Sequence, residues 1–122
     1  MSDDTDLDVN KVSLELFFII HPSSLKLPKY EMYELGSQLR RSADSVVTNK
    51  IEGYGRKRYK ADFIRFLVFS HSSFMETENH LFKIATLYPN VFENMEDLIK
   101  RYDNLGAKIY SFIVYIENNW KT

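Results

Sequence analysis

The side chains best suited to chemistry are few and scattered. Three histidines, His21, His71 and His80, and no cysteine occur among the 122 residues, which excludes disulfides, thiolate nucleophiles and sulfur-based zinc sites. Glu76 and His80, one helical turn apart, would give a metal two ligands where three or four are needed, and no Glu-x-x-His pair of the di-iron bundle type occurs. His71-Ser72-Ser73 places a base beside two hydroxyls. Nucleophilic catalysis also needs an orienting carboxylate and an oxyanion hole, and nothing in the chain supplies them. Glu52-Gly53-Tyr54-Gly55-Arg56 matches a phosphate loop in its glycines alone, without a preceding strand or a Gly-Lys-Ser/Thr ending. These features point to a protein without an enzyme active site, a metal or a cofactor.

What the chain does concentrate is charge. Arg56, Lys57, Arg58 and Lys60 fall within five residues, flanked by Lys50 and Arg65, opposed by Glu52 and Asp62, and interleaved with Tyr54 and Tyr59. Cations with aromatic platforms suit a phosphate backbone and unpaired bases of RNA or DNA. The same residues equally describe a solvated turn whose cations offset the negative end of a helix. Arg40 and Arg41 are further candidate nucleic-acid contacts, although a helical hairpin about residue 56 would place them level with Glu76 and allow an ion pair instead. With a net charge of −1, attraction to nucleic acid must come from such local segregation.

Helices must position these groups, because glycine (4) and proline (3) are too scarce for a turn-rich β fold. Val9, Val12, Leu16 and Ile19 recur at helical steps, predicting a short first helix after an acidic tail over residues 1–6, ended by Pro22-Ser23-Ser24. Pro28 suits the first position of a second helix that runs to Gly53 and Gly55. On it Leu35, Leu39, Ala43 and Val46 form an apolar stripe in which Lys50 is the one polar member. Beside it Gln38, Ser42, Ser45, Asn49 and Glu52 form a polar stripe, read either as hydrogen bonds between close helices or as Asn49 and Glu52 lining a ligand.

A third helix is predicted from Lys60 to Tyr88, stopped by Pro89, with Phe63, Leu67, Ser70, Phe74, Leu81, Ala85 and Tyr88 facing the core. A fourth opens after Asn90, capped by Asn90 or Asn94. Its Met95, Leu98, Tyr102, Leu105, Ile109, Phe112 and Ile116 keep the three-four alternation of bundle packing. Short connections make successive helices antiparallel, so the expected fold is an all-α, antiparallel up-down-up-down four-helix bundle, one domain over residues 1–122 with the first helix shortest.

The apolar residues outnumber what one such core can bury. Ile64, Val68, Met75 and Phe82 on the third helix, and Ile99, Ile113 and Trp120 at heptad spacing on the fourth, are candidates for a homo-oligomer interface. No apolar run reaches membrane-spanning length and the amino terminus is acidic, so a cytoplasmic protein without membrane contact is expected.

The segment Leu35-Gly36-Ser37-Gln38-Leu39-Arg40-Arg41-Ser42-Ala43-Asp44-Ser45, continued by Asn49-Lys50-Ile51-Glu52-Gly53-Tyr54-Gly55-Arg56 and by Phe63-Ile64-Arg65-Phe66-Leu67 with Ser73, Glu76 and Glu78, resembles the 23S rRNA intervening-sequence protein family. The family pattern departs here at Lys50-Ile51, where Ile-Ala is usual, at Val47 in place of a frequent proline and at Ser72 in place of a frequent glycine. The resemblance implies a four-helix bundle with no established enzymatic activity. A related accessory protein of diversity-generating retroelements, a barrel of five such bundles that binds nucleic acid and a reverse transcriptase, extends the implication to a homo-oligomer, a pentamer. Two functional classes follow: a nucleic-acid-binding or ribonucleoprotein accessory module, and an interaction scaffold for a protein partner with no nucleic-acid role.

Overall fold

The computed structural model describes residues 3–121, with side chains from Asp6 onward. Four helices account for nearly all of it: α1 (Asp3–Ser24), α2 (Leu35–Gly55), α3 (Lys60–Leu87) and α4 (Met95–Asn119). Contacts join α1 to α2, α2 to α3, α3 to α4 and α4 back to α1, so α1 and α3 lie across the diagonal of an up-down bundle. The fold class read from the periodicity is the one observed.

Helix α1 departs most from its expectation. It begins at Asp3, where an acidic tail was expected; Met1 and Ser2 lie outside the described residues. It also carries Pro22 inside its last turn and so spans 22 residues, one more than α2. Proline removes one amide donor but sits close enough to the end that only a single turn is affected. Ser24 closes the helix by donating to the His21 carbonyl at 2.7 Å. The buried face is Val9, Ser13, Leu16 and Ile20, leaving Val12 half-buried and Ile19 exposed.

Pro28 opens a single 3₁₀ turn, Lys29–Glu31, and α2 follows only at Leu35. Arg40 explains how this connection is held. Its guanidinium donates to Ser24 Oγ at 2.9 Å and to the Met32 carbonyl at 2.7 Å, tying the end of α1 to the chain entering α2. The Tyr88 hydroxyl donates to Glu31 at 2.7 Å and meets the Tyr30 hydroxyl at 3.0 Å, clipping the same connection to the end of α3.

Of the polar stripe on α2, Ser42 and Ser45 form an interhelical seam, while Gln38 and Glu52 are exposed. Thr77 donates to Ser42 Oγ at 2.9 Å, Ser73 to Ser45 Oγ at 2.8 Å and Ser70 to the Val46 carbonyl at 2.6 Å. Asn49 is turned back onto Ser45 in its own helix. Small side chains let α2 and α3 approach, and each buried bond contributes about 1 kcal/mol net while leaving no polar atom of the seam stranded. At the same interface a Cβ on Gly53 would lie 3.2 Å from Phe66 Cβ.

Because α2 and α4 both grip α3, its buried face is wider than one stripe, taking in Ser73, Thr77, His80 and Ile84 besides Phe63, Leu67, Ser70, Phe74 and Leu81. On α4 the predicted row is buried from Leu98 to Ile116, joined by Gly106 and Ile113. Gly106 has a steric reason: the Phe74 ring occupies the space a Cβ would need, with the nearest ring carbon 2.2 Å away. Asn94, one of the two residues expected to cap α4, precedes it in the left-handed region (φ 52°), which asparagine tolerates better than most residues, but its side chain makes no capping bond.

Candidate nucleic-acid interface and apolar faces

The basic turn joins the C-terminal end of α2 to α3, beside the end of α4. Arg56 donates twice to Glu52 Oε1, at 3.0 and 3.1 Å, and lies 3.8 Å from Asp62 with its guanidinium 4.9 Å from the Phe66 ring. Lys57 donates to the Tyr54 hydroxyl at 2.7 Å and stands over that ring. Lys60 donates to the Glu117 carbonyl at 2.8 Å, where the last turn of α4 leaves acceptors unpaired. Trp120 in turn donates to the Lys57 carbonyl at 2.7 Å. The turn is thus laced to itself and to α4, with Arg58 and Tyr59 projecting into solvent. The pairs that bind Arg56 are solvent-exposed and worth fractions of a kcal/mol each, so a phosphate can compete for that cation.

Two groups of candidates do not join this cluster. Lys50, counted with the turn on sequence, is fully buried and ion-paired with Asp6 of α1. Arg40 and Arg41 sit about fifteen residues back along α2, about 20 Å from the turn at about 1.5 Å per residue. Arg40 is committed to Ser24 and Met32, not to Glu76, while Arg41 is exposed.

The catalytic-looking residues disperse as well. Ser73 points at α2, whereas His71 packs against the rings of Phe74 and Tyr110, and burial lowers its pKa. His80 is buried 3.6 Å from Glu76; burial, chiefly, lowers its pKa too. Among the described residues no group of three or more His, Asp or Glu could hold a metal. A cleft between the end of α1 and the start of α4 mixes Lys26 and Arg101 with Glu93 and Asp97, so neither sign of charge converges there.

Of the apolar candidates, Val68, Met75 and Phe82 lie on the surface at 43, 58 and 52% exposure, and Ile64 and Ile99 are half-buried against the core. Ile113 is buried in the chain's own core, and Trp120 packs edge-on to Phe63 at 5.4 Å, so the α4 row is largely consumed within the bundle. Sequence reading missed an apolar face on α1: Leu7 and Phe18 are each 63% exposed, with Leu14 on the same helix and Leu25 just past its end. Its signal was the spacing 7, 11, 14, 18, 21, 25, a second three-four alternation beside the one assigned to the core.

A crystal structure of a protein of unknown function from the S23 ribosomal protein family of Bacteroides thetaiotaomicron has the same fold. Its TM-score is 0.77 at 23% identity, covering 89% of this chain and 97% of that one. No curated protein matches the chain. Among the described residues no helix is long and apolar enough to cross a membrane. The model of the 23S rRNA-intervening sequence protein family matches residues 5–111, seven-eighths of the sequence, and the chain belongs to that family.

Proposed function

We propose that the protein is a non-enzymatic, cytoplasmic helical module that works as an assembly of its own copies, a pentamer by the family resemblance. The observation that carries this reading is the pair of exposed apolar rows on α1 and α3, which a lone bundle in water has no means to cover. Light scattering at micromolar concentration is expected to give a multiple of the 14.5 kDa chain mass. A monomer mass would sink the reading.

A second reading concerns the use of the assembly and is favoured by the basic turn. Arg58 and Tyr59 project from the end of each bundle, with Arg56 and Lys57 held beside them on exposed, weak partners. A few phosphate contacts from one chain bind marginally at physiological salt, whereas copies at fixed spacing raise the effective concentration for every contact after the first. Fluorescence anisotropy of labelled single-stranded RNA and DNA should show salt-sensitive binding. The triple variant Arg56→Gln, Lys57→Gln, Arg58→Gln should lose at least about tenfold in affinity and flatten the salt slope. Equal affinity and slope in both proteins would leave the scaffold for a protein partner as the function.

A further inference from the structure

Helices α1 and α3, across the diagonal from each other, each present a row that the bundle does not cover. On α1 it is Leu7, Lys11, Leu14, Phe18 and His21, continued by Leu25 just past its end, all exposed and in alternating steps of four and three, the spacing of a seam that faces another helix. On α3 it is Val68, His71, Met75, Glu78 and Phe82, in steps of three and four, with the three apolar members exposed. Lys11 in the first row and Glu78 in the second each stand between apolar neighbours, and their signs are opposite.

Glu78 is one of the groups the single chain leaves unsatisfied, along with Asn10, His80 and Tyr102. The Glu78 Oε2 is buried without a hydrogen-bond partner. The residue facing it from α4 is Asp103, a second carboxyl that accepts a hydrogen bond from Glu78 when Glu78 holds its proton. Burial first, and then Asp103, push the Glu78 carboxyl up to about 8. Among the described residues neither carboxylate has an ion-pair partner. Two facing carboxyls without a cation, beside an apolar row, form a site shaped for an ammonium carried on an apolar helix, whose charge would draw off the proton that Glu78 otherwise keeps. Lys11 is such a group, exposed between Leu7 and Leu14.

We infer that the α1 row of one copy docks on the α3–α4 face of the next, seating its Lys11 ammonium between Glu78 and Asp103. This rests on the self-assembly proposed above and specifies its contact. Leu7, Leu14 and Phe18 then cover Met75, Phe82 and Tyr110. The two surfaces differ, so the contact is heterologous: each copy offers one of each, and the chain of copies ends only by closing into a ring. Burying Lys11 against two carboxylates sets the register, because a one-turn slip would place Glu78 and Asp103 against Leu7 or Leu14.

Light scattering and sedimentation of wild type, Lys11→Glu, Glu78→Lys and the double variant test the contact, with circular dichroism to confirm that each remains helical. Each single variant sets like charges together and should raise the concentration at which the assembly dissociates by roughly 100-fold or more. The double variant again sets a carboxylate against an ammonium, with Asp103 left as a like charge beside it, and should recover part of the assembly that each single variant loses. If Glu78→Lys loses helicity, Asp103→Lys, on the exposed member of the pair, takes its place. An assembled wild type whose single variants keep the same mass overturns this contact and leaves self-assembly standing. A monomeric wild type overturns both.

Discussion

Asp6→Ala is expected to destabilise the fold by about 3–5 kcal/mol, although it lies near the end of the chain, because it strands a buried charge. Lys50 is fully buried on the apolar stripe of α2, and its ammonium is satisfied by the Asp6 carboxylate, with the rings of Tyr54 and Phe112 within 6 Å. Desolvation lowers the Lys50 pKa, and the bond to Asp6 works against that shift. Asp6 also gains from its place near the positive N-terminal end of α1. Without it the lysine must either lose its proton or draw water into the bundle, and both weaken packing between α1 and α2.

Replacing both members has the opposite expectation. A Lys50→Met, Asp6→Ala chain removes the desolvation cost along with the attraction, so its stability should fall within about 1 kcal/mol of wild type or above it. Urea denaturation of the two single variants and the double variant forms a cycle that measures the coupling. A loss below about 1 kcal/mol for Asp6→Ala would mean that the amino-terminal turn frays and water reaches Lys50. The acid that compensates Lys50 comes from α1, 44 residues earlier in the chain.

That pair shows where sequence reading stops. Lys50 is conspicuous as the polar member of an apolar stripe, and Asp6 as an acid suited to a helix start, yet nothing local links them; only the return of α1 alongside α2 does. The long periodic segments were legible for the same reason that they fold: Leu98, Tyr102, Leu105, Ile109, Phe112 and Ile116 repeat at the helical period and are all buried. Helix ends were less so. On sequence Pro22 marks a stop and Pro28 a start, but one is absorbed into a final turn and the other opens a 3₁₀ turn, in a connection that Arg40 ties together through Ser24 and Met32.

The candidate interface was legible in composition and not in geometry. The cations of the turn could be counted, but their local partners, Glu52 for Arg56, Tyr54 for Lys57 and the Glu117 carbonyl for Lys60, depend on how α2, α3 and α4 meet. Ile113 and Trp120 repeat at heptad spacing as a surface row would. The structure turns Ile113 inward and folds Trp120 over Phe63, because the last turns of α4 close the end of the bundle.

Glu78→Gln should stabilise the chain at alkaline pH and change little at acid pH. The Glu78 carboxyl titrates at about 8 in the fold against 4.5 for the ordinary side chain, with burial the larger cause and the facing Asp103 the smaller. Between those values the unfolded chain has released a proton that the folded chain keeps, so each rise in pH favours unfolding. The stability associated with the protonated group is therefore fully present below about 4.5 and lost as pH rises through about 8. His80 acts in the other direction: burial lowers its pKa from 6.5, so stability falls once the unfolded chain takes up that proton below 6.5. Glutamine keeps the shape and removes the charge, which isolates the first effect from the second. Because Glu78 is part-exposed, solvent screening reduces the expected gain to about 1–2 kcal/mol at about pH 8.5. Measuring urea unfolding in the Lys11→Glu background keeps assembly from contributing, and the gap between chains with and without Glu78→Gln should shrink to near zero by about pH 4.5. A gap of the same size at both ends of that range would show that the Glu78 carboxyl titrates alike in the folded and unfolded chain, with Asp103 and solvent accommodating its charge in the fold.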